Sequence, residues 1–260
     1  MRWVRFVNDG VEGFGAVSGR SITPYSGDLF GVHRAGSATL RSDGVKILPP
    51  VYPGKIIGLA NNFHALIEKV GGTVPLDPLY FIKANTSLNA DGGDIVRPQG
   101  YDGKVIFEGE LGLVIKKPCR NISPDAAMEF VLGCTCVNDV TAIGLLHKDS
   151  SFPQWTRAKA ADTFGVIGPV IATDLSPALL RVETHVNGDQ RQCFPVSDMV
   201  FTAEELVSRL SRDMTLEAGD IIACGTSVGV GRLRDDDVVT VTIDGIGSIT
   251  NTFRDSVEST

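Results

Sequence analysis

Residues 105–115 read VIFEGELGLVI, and this stretch is the most informative in the sequence about fold and function. Its apolar and β-branched residues are typical of a buried strand, yet Glu108 and Glu110 stand inside it. Side chains alternate between the faces of a strand, so both carboxylates point the same way, with α-carbons about 6.5 to 7 Å apart. Two like charges in a poorly hydrated space are unfavourable unless a cation neutralises them or one takes up a proton. A hard divalent metal ion is the simplest solution.

The same stretch has a plainer interpretation. If this face of the strand lies in water, Glu108 and Glu110 are ordinary surface residues, while Phe107 and Leu111 point inward. Gly109 removes a side chain from the inner face, which fits close packing against another layer. The stretch alone leaves both interpretations open.

A third acid follows a second apolar run. Residues 133–137 read GCTCV and lead into Asn138 and Asp139, so Asp139 is a candidate third oxygen ligand. An Asn-Asp pair at the end of a strand is also common turn chemistry, and this alternative remains open.

Residues 61–72 predict a short helix, capped by asparagine and stopped by two glycines. His64 and Glu68 are four residues apart, so they share one helical face and lie within pairing reach. An imidazole oriented by a carboxylate is what a general base that activates water requires. On an exposed helix, the same two residues would be a surface pair.

Three further polar features lie in apolar surroundings. Lys83 follows a strand-like run, and Lys159 precedes the sequence AADT. Residues 225–231 read GTSVGVG, but this loop lacks the Gly-Lys-Ser/Thr ending of a P-loop and precedes no periodic helix. We therefore interpret it as a tight turn, with Thr226 as a candidate ligand donor.

Composition narrows the class of protein. The 260 residues are 43% hydrophobic and 21% charged, which is enough apolar material for one large domain or a large and a small one. A net charge of −7 argues against binding to nucleic acid or an anionic membrane, because both need clustered Lys and Arg. We expect a cytoplasmic protein with a small-molecule ligand, because the sequence shows neither a signal-peptide pattern nor a membrane-spanning run. The five cysteines favour buried, reduced thiols.

The distribution of apolar runs predicts a strand-dominated α+β protein. Residues 1–50 read as a small N-terminal β subdomain, and residues 54–254 carry most of the strand-length runs. Helices are predicted after Ser123-Pro124 and, through a capping box, after Thr202. Asp244-Gly245 predicts a hairpin turn between the last two strands.

Taken in order, these features resemble the fumarylacetoacetate hydrolase family over residues 54–254. The family's E-x-E strand stands here as Glu108-Gly109-Glu110. The other matching motifs are Asn121-Ile122-Ser123, Gly133, Asn138-Asp139, Gln154-Trp155, Lys159-Ala160-Ala161-Asp162-Thr163-Phe164, Gly168-Pro169 and Gly225 to Gly231. The resemblance implies a mixed β-roll, usually assembled as a homodimer.

The resemblance also implies roles for individual residues. Glu108, Glu110 and Asp139 would bind one Mg²⁺ or Mn²⁺. Lys159 would act in catalysis and, with Lys83 and Thr226, would hold the substrate. His64 and Glu68 would form a catalytic pair on a lid.

Three departures from the family pattern bear on the reaction. Ala60-Asn61 replaces the usual Asn-Tyr before the lid histidine, and Glu68 follows that histidine by four residues instead of three. Ile143-Gly144 replaces an Arg-Asp pair, which removes a cation expected for a second substrate carboxylate. Lys159-Ala160-Ala161-Asp162 replaces Lys-Ser-Phe-Asp, which would widen the pocket.

The implied activity is metal-dependent chemistry on a small 2-oxo or 2,4-dioxo acid through an enolate. We expect hydrolysis of a C–C bond, of the acylpyruvate or fumarylacetoacetate type found in aromatic catabolism. The alternatives are an oxaloacetate-type decarboxylase and a hydroxymuconate-type isomerase or hydratase. A metal-binding scaffold without catalysis is an alternative from another class.

Overall fold

The computed structural model describes residues 1–255, and strands dominate this part of the chain. The strands are β1 Arg2–Asn8, β2 Val11–Ser18, β3 Ser21–Gly27, β4 His33–Ala35, β5 Leu40–Arg41, β6 Lys46–Leu48, β7 Ile56–Ala60, β8 Leu79–Lys83, β9 Leu88–Asn89, β10 Ile95–Val96, β11 Val105–Phe107, β12 Gly109–Ile115, β13 Val131–Asp139, β14 Thr141–Ala142, β15 Gly165–Ala172, β16 Arg181–Val186, β17 Asp189–Pro195, β18 Ile221–Ala223, β19 Gly231–Leu233, β20 Val238–Ile243 and β21 Gly247–Arg254. The α-helices are α1 His64–Lys69, α2 Ile143–Leu146, α3 Trp155–Lys159 and α4 Ala203–Asp213. Short 3-10 helices occupy Ser42–Gly44, Asn85–Ser87, Pro124–Phe130, Pro177–Leu179 and Val196–Asp198. The predicted strand-dominated α+β class is confirmed.

Three sheets organise these strands. The largest has 13 strands in the order β4-β3-β2-β1-β15-β13-β12-β18-β7-β8, with β5 on β3, β6 on β1 and β9 on β15. A second sheet runs β10-β21-β20-β16-β17, and a third runs β14-β11-β19. Strand β12 lies near the middle of the largest sheet and is buried along its whole length. Glu110 is therefore not on a solvent-exposed strand face, and the side chain of Glu108, just before β12, is only 14% exposed.

The prediction of one continuous strand over residues 105–115 was wrong in one respect, because the strand breaks at Glu108. Strand β11 pairs with β14 and β19, whereas β12 pairs with β13 and β18. At the break, the backbone N–H of Glu108 donates to the Asn138 side chain, 3.0 Å away. The carbonyl of Glu108 accepts from the N–H of Asp139 at 2.9 Å. The chain thus passes from one sheet to another at the first acid.

Two predicted helices differ from expectation. The helix in residues 61–72 begins at His64, and no side chain caps it. The Asn62 side chain instead bonds to backbone groups of Phe201 and Cys224. The segment after Ser123 is a 3-10 helix, because its first turn closes with a hydrogen bond from the Ala126 N–H to the Ser123 carbonyl. The Ser123 side chain does not cap it.

Other local predictions are confirmed. Thr202 and Glu205 form the reciprocal capping box of α4, whose buried side includes Leu206 and Leu210. The turn around Gly245 joins β20 to β21 in an antiparallel hairpin. Within residues 1–255, no helix combines the length and apolar character that a membrane span needs.

Candidate active site

Strand register brings three acids together at one end of β12 and β13. Glu110 lies on β12, Glu108 lies at the break before it, and Asp139 ends β13, which pairs with β12 from Gly109↔Asn138 onward. One carboxylate oxygen from each acid lies within 4.8 Å of the others. The three candidate metal ligands therefore share one small space.

Glu110 is the most deeply placed of the three acids. Its Oε2 accepts a hydrogen bond from the backbone N–H of Gly225 at 2.9 Å. Its Oε1 is buried and has no hydrogen-bond partner within the described residues. Burial, together with the charges of Asp139 and Glu108, raises the pKa of Glu110 well above its usual range. A buried carboxylate oxygen without a partner, within a cluster of hard oxygen donors, fits a cation such as Mg²⁺ or Mn²⁺.

Two buried lysines face the acids. Lys83 Nζ lies 2.5 Å from Asp139 Oδ1, and Lys159 Nζ lies 2.5 Å from Asp139 Oδ2 and 2.9 Å from Glu108 Oε2. Burial opposes ionisation of Asp139, but Lys159 and Lys83 outweigh it and lower the pKa of this carboxyl. Burial lowers the pKa of Lys83, and in Lys159 the neighbouring carboxylates overcome burial and raise the pKa. With all five groups ionised, the cluster carries one uncompensated negative charge.

Backbone and hydroxyl groups fix the orientation of Glu108. The Thr141 hydroxyl donates to Glu108 Oε1 at 2.7 Å, and Asn138 holds the backbone N–H of Glu108. The side-chain nitrogen of Asn138 is buried without a partner among residues 1–255. Sequence reasoning named Asn138 only as part of a motif and missed Thr141. The proximity of Thr141 to Asp139 is the signal that was available.

A second network fixes Thr226. Its hydroxyl donates to the Gly109 carbonyl at 2.9 Å and accepts from Gln192 Nε2 at 2.9 Å. Gln192 Oε1 in turn accepts from the Gly109 N–H at 3.0 Å. The Thr226 hydroxyl is thus engaged by the protein, and Gln192 on β17 ties the glycine-rich loop to the E-x-E stretch. No local sequence signal identified Gln192, because its partners are distant in the chain.

A cavity of about 460 Å³ opens beside the carboxylates. Its polar lining residues are Asn61, Glu108, Thr141, His147, Lys159 and Thr226. Its apolar lining residues are Leu59, Ala60, Leu66, Val70, Phe81, Ile143, Leu146, Trp155 and Val230. Lys159 and Thr226, which the sequence assigned to the substrate, therefore line the cavity. Lys83 is fully buried behind Asp139.

Helix α1 lies beside the cavity, but its two candidate catalytic residues, His64 and Glu68, do not line it. Leu66 and Val70 line the cavity, whereas His64 and Glu68 are exposed. Among the described residues, no hydrogen bond or ion pair joins His64 to Glu68. The helix start is held by Asp198, whose carboxylate accepts from the Ala65 N–H at 3.0 Å. The lid pair therefore stays a prediction, and the structure does not bring it to the carboxylates.

The segment after Asp139 forms another part of the cavity wall. Ile143, Leu146 and His147 line the cavity from one face of α2 and its C-terminal cap. The Trp155 ring of α3 stacks on Phe81 of β8, with centroids 5.1 Å apart and an interplanar angle of 9°. His147 was not among the sequence-derived candidates, since its helix is only one turn long.

The comparisons with known proteins agree with this architecture. The family model described as Fumarylacetoacetate (FAA) hydrolase C-terminal matches residues 55–254. The model described as Rv2993c-like, N-terminal matches residues 1–50. The chain therefore belongs to the fumarylacetoacetate hydrolase family, as its motifs indicated. The family contains enzymes of isomerase, tautomerase and hydrolase type, and its members typically use a divalent metal.

Three similar proteins illustrate this range. Oxaloacetate tautomerase YisK of Bacillus subtilis is 38% identical over 80% of this chain and 72% of its own length. The crystal structure of 2-hydroxyhepta-2,4-diene-1,7-dioate isomerase from Mycobacterium marinum is 33% identical, covers 99% of this chain and 100% of its own, and has a TM-score of 0.91. Maleylpyruvate hydrolase from Sphingobium sp. SYK-6, in complex with manganese(II) ion and pyruvate, is 27% identical, covers 99% of this chain and 100% of its own, and has a TM-score of 0.82.

Proposed function

We propose that this chain is a Mg²⁺- or Mn²⁺-dependent enzyme that hydrolyses a C–C bond in a small 2-oxo or 2,4-dioxo acid. The observation that carries the proposal is the orphaned Oε1 of Glu110 inside a cluster of three carboxylates. This cluster borders the cavity that Glu108 and Lys159 line. The manganese and pyruvate in the complex of the maleylpyruvate hydrolase support the same assignment.

Charge in the cluster favours a 2-oxo acid. Three carboxylates and two ammonium groups leave one negative charge, and a divalent cation would change this to one positive charge. A single substrate carboxylate matches that charge. When bound, the metal would supply Lewis-acid stabilisation of the negative charge that develops on the keto oxygen.

The protein's own residues then have separable tasks. Glu108, Glu110 and Asp139 hold the cation. Lys83 fixes the carboxylate of Asp139, and the Thr141 hydroxyl fixes that of Glu108. Lys159 lies on the cavity wall and presents an ammonium group to the substrate carboxylate. Hydrolysis also needs a base for water, and His64 serves this role only if α1 closes over the cavity.

A second candidate reaction has a specific observation in its favour. Because His64 does not line the cavity, reactions that need no activated water suit the observed arrangement. Tautomerisation or decarboxylation of an oxaloacetate-like acid is of this kind, and YisK is named as an oxaloacetate tautomerase.

The test is a substrate panel assayed with Mg²⁺, with Mn²⁺ and after chelation. Acetylpyruvate and fumarylpyruvate report hydrolysis, oxaloacetate reports tautomerisation and decarboxylation, and a hydroxymuconate-type acid reports isomerisation. We expect turnover that depends on the metal and falls by about 100-fold or more in Glu110→Gln, which removes a ligand charge but keeps the side-chain shape.

The panel also separates the alternatives. Metal-dependent turnover of oxaloacetate without acylpyruvate hydrolysis would favour the second candidate. Tight Mn²⁺ binding without any turnover would instead support the non-catalytic scaffold.

A further inference from the structure

The cavity beside the carboxylates has two chemically different regions. Its polar lining includes three side chains that contact one another at the carboxylate cluster, namely Glu108, Lys159 and Thr141. The remaining wall is largely apolar. It includes Leu66 of α1 and Val70 just after that helix, Ile143 and Leu146 of α2, Trp155 of α3 and Val230 of the glycine-rich loop.

The two lysines near the cavity already contribute to the charge of the carboxylate cluster. Lys159 is bound to Glu108 and Asp139, and Lys83 is enclosed behind Asp139. No arginine is present among the lining residues, all of which lie in the described part of the chain. The exposed imidazole of His147 is the one remaining basic side chain on the wall.

This arrangement can compensate one substrate carboxylate but not two. With a divalent cation bound, the cluster would carry one positive charge, which the carboxylate of the 2-oxo acid head consumes. A second carboxylate at the far end of the substrate would lie against Ile143 and Leu146 without a cation. Desolvating an unpaired carboxylate is strongly unfavourable, whereas an alkyl or aryl group gains from the same contact.

We propose that the substrate is a monocarboxylic 2-oxo acid with an uncharged, apolar tail, and that Ile143 and Leu146 determine this specificity. The tail lies along the face of α2 that lines the cavity and against the Trp155 ring, which is fixed by stacking on Phe81. This inference rests on the proposed function, because it places the 2-oxo acid head at the carboxylate cluster.

The test compares ligands of equal size that differ in tail charge. In 5-methyl-2-oxohexanoate, an isopropyl group replaces the distal carboxylate of 2-oxoglutarate, so the heads and the numbers of heavy atoms match. Calorimetric titration of the full chain loaded with Mn²⁺ measures the affinity for each of the two ligands. We expect the apolar ligand to bind at least tenfold more tightly. In the series 2-oxobutanoate, 2-oxopentanoate and 2-oxohexanoate, affinity should rise about fourfold per methylene.

A matched pair of variants tests the wall itself. Ile143→Arg adds a cation at a half-buried lining position and should reverse the preference, so that 2-oxoglutarate binds more tightly than its isostere. Ile143→Leu keeps the wall apolar and should retain the wild-type preference. The comparison of the two ligands in the wild type needs no variant, so it tests the tail preference even if the arginine variant folds poorly.

The binding results separate failure of the proposed tail specificity from failure of the proposed 2-oxo acid site. If the wild type binds 2-oxoglutarate as tightly as 5-methyl-2-oxohexanoate, or more tightly, the proposed preference for an apolar tail is wrong. The proposed 2-oxo acid site would still stand. Loss of that binding in His147→Gln would then identify the imidazole as the missing cation. Absence of Mn²⁺-dependent binding for every ligand would overturn both the tail and the proposed 2-oxo acid site.

Discussion

Glu110 combines complete burial with a carboxylate oxygen that receives no hydrogen bond from any of residues 1–255. Without a cation, its charge is repelled by Asp139 and Glu108, so the ligand costs stability in the metal-free protein. We predict that Glu110→Gln unfolds at the same temperature as the metal-free wild type or a higher one. Added Mn²⁺ should stabilise only the wild type, because ligand binding to the folded state raises its stability. Scanning calorimetry with and without Mn²⁺ checks this. Equal stabilisation of both proteins would remove Glu110 from the metal site.

Lys159 touches two proposed metal ligands and also lines the cavity. We predict that Lys159→Met lowers turnover by about 100-fold, because the substrate carboxylate loses its ammonium partner. Its affinity for Mn²⁺ should not fall, since the variant removes a competing positive charge from Glu108 and Asp139. Parallel kinetics and metal titrations measure the two effects. Lys55→Met is the control, because Lys55 pairs with Asp220 and is absent from the cavity lining. Unchanged turnover in Lys159→Met would refute the assignment.

Strand β12 begins at a glycine that tolerates no side chain. A Cβ on Gly109 would lie 2.1 Å from Thr184 Oγ1, an atom that is buried without a hydrogen-bond partner in the described structure. We predict that Gly109→Ala destabilises the protein by about 1 to 3 kcal/mol, because the core is overpacked there. Thr184→Ala removes the clashing hydroxyl and should recover part of the loss in the double variant. Denaturant unfolding of the four proteins gives the coupling energy. Purely additive effects would exclude this contact as the cause.

We propose that the position of helix α1 determines which reaction the site performs. If α1 closes so that His64 reaches the cavity, His64→Ala should lower acylpyruvate hydrolysis by about 10² to 10⁴ and affect oxaloacetate decarboxylation less. Metal affinity should not change, because His64 is not a proposed ligand. Rates of both reactions in wild type, His64→Ala and Glu68→Ala check this. Equal rates in all three proteins would leave His64 and Glu68 as the surface residues that their exposure indicates.

Local geometry explains which elements could be predicted. The capping box at Thr202 marked α4, because that pattern depends only on near neighbours. The spacing of Glu108 and Glu110 predicted that their carboxylates lie together, and they do, although the strand breaks at Glu108. The hairpin of β16 and β17 was missed, although Asn187-Gly188 is a strong turn signal and both residues have positive φ. Its contribution to the site is Gln192, whose partners Gly109 and Thr226 are distant in sequence. Such contacts follow from tertiary packing, which periodicity does not encode.

At the scale of the whole molecule, the N-terminal segment is part of the main sheet. Strand β1 pairs with β15 through Arg2↔Ala172 and Trp3↔Ile171, so the sheet continues across the boundary predicted near residue 50. Trp3 packs in a buried cluster with residues of the central strands, including Val137 and Ile171. The expected homodimer stays a prediction, for which sedimentation equilibrium of the full chain is the measurement.

This continuity predicts that the N-terminal residues are needed for stability. Trp3→Ala should destabilise the protein by about 3 to 5 kcal/mol, because it leaves a cavity between the segment and the central sheet. Removal of residues 1–50 should be more severe, since it exposes the edge of β15 and the apolar surface around Ile171. Chemical denaturation of Trp3→Ala, with the exposed Val11→Ala as control, and sedimentation of the truncated chain measure these effects. A truncated chain that stays monodisperse and unfolds with wild-type stability would mean that the rest of the protein folds without this segment. Strands β1 to β6 would then extend the sheet without stabilising it.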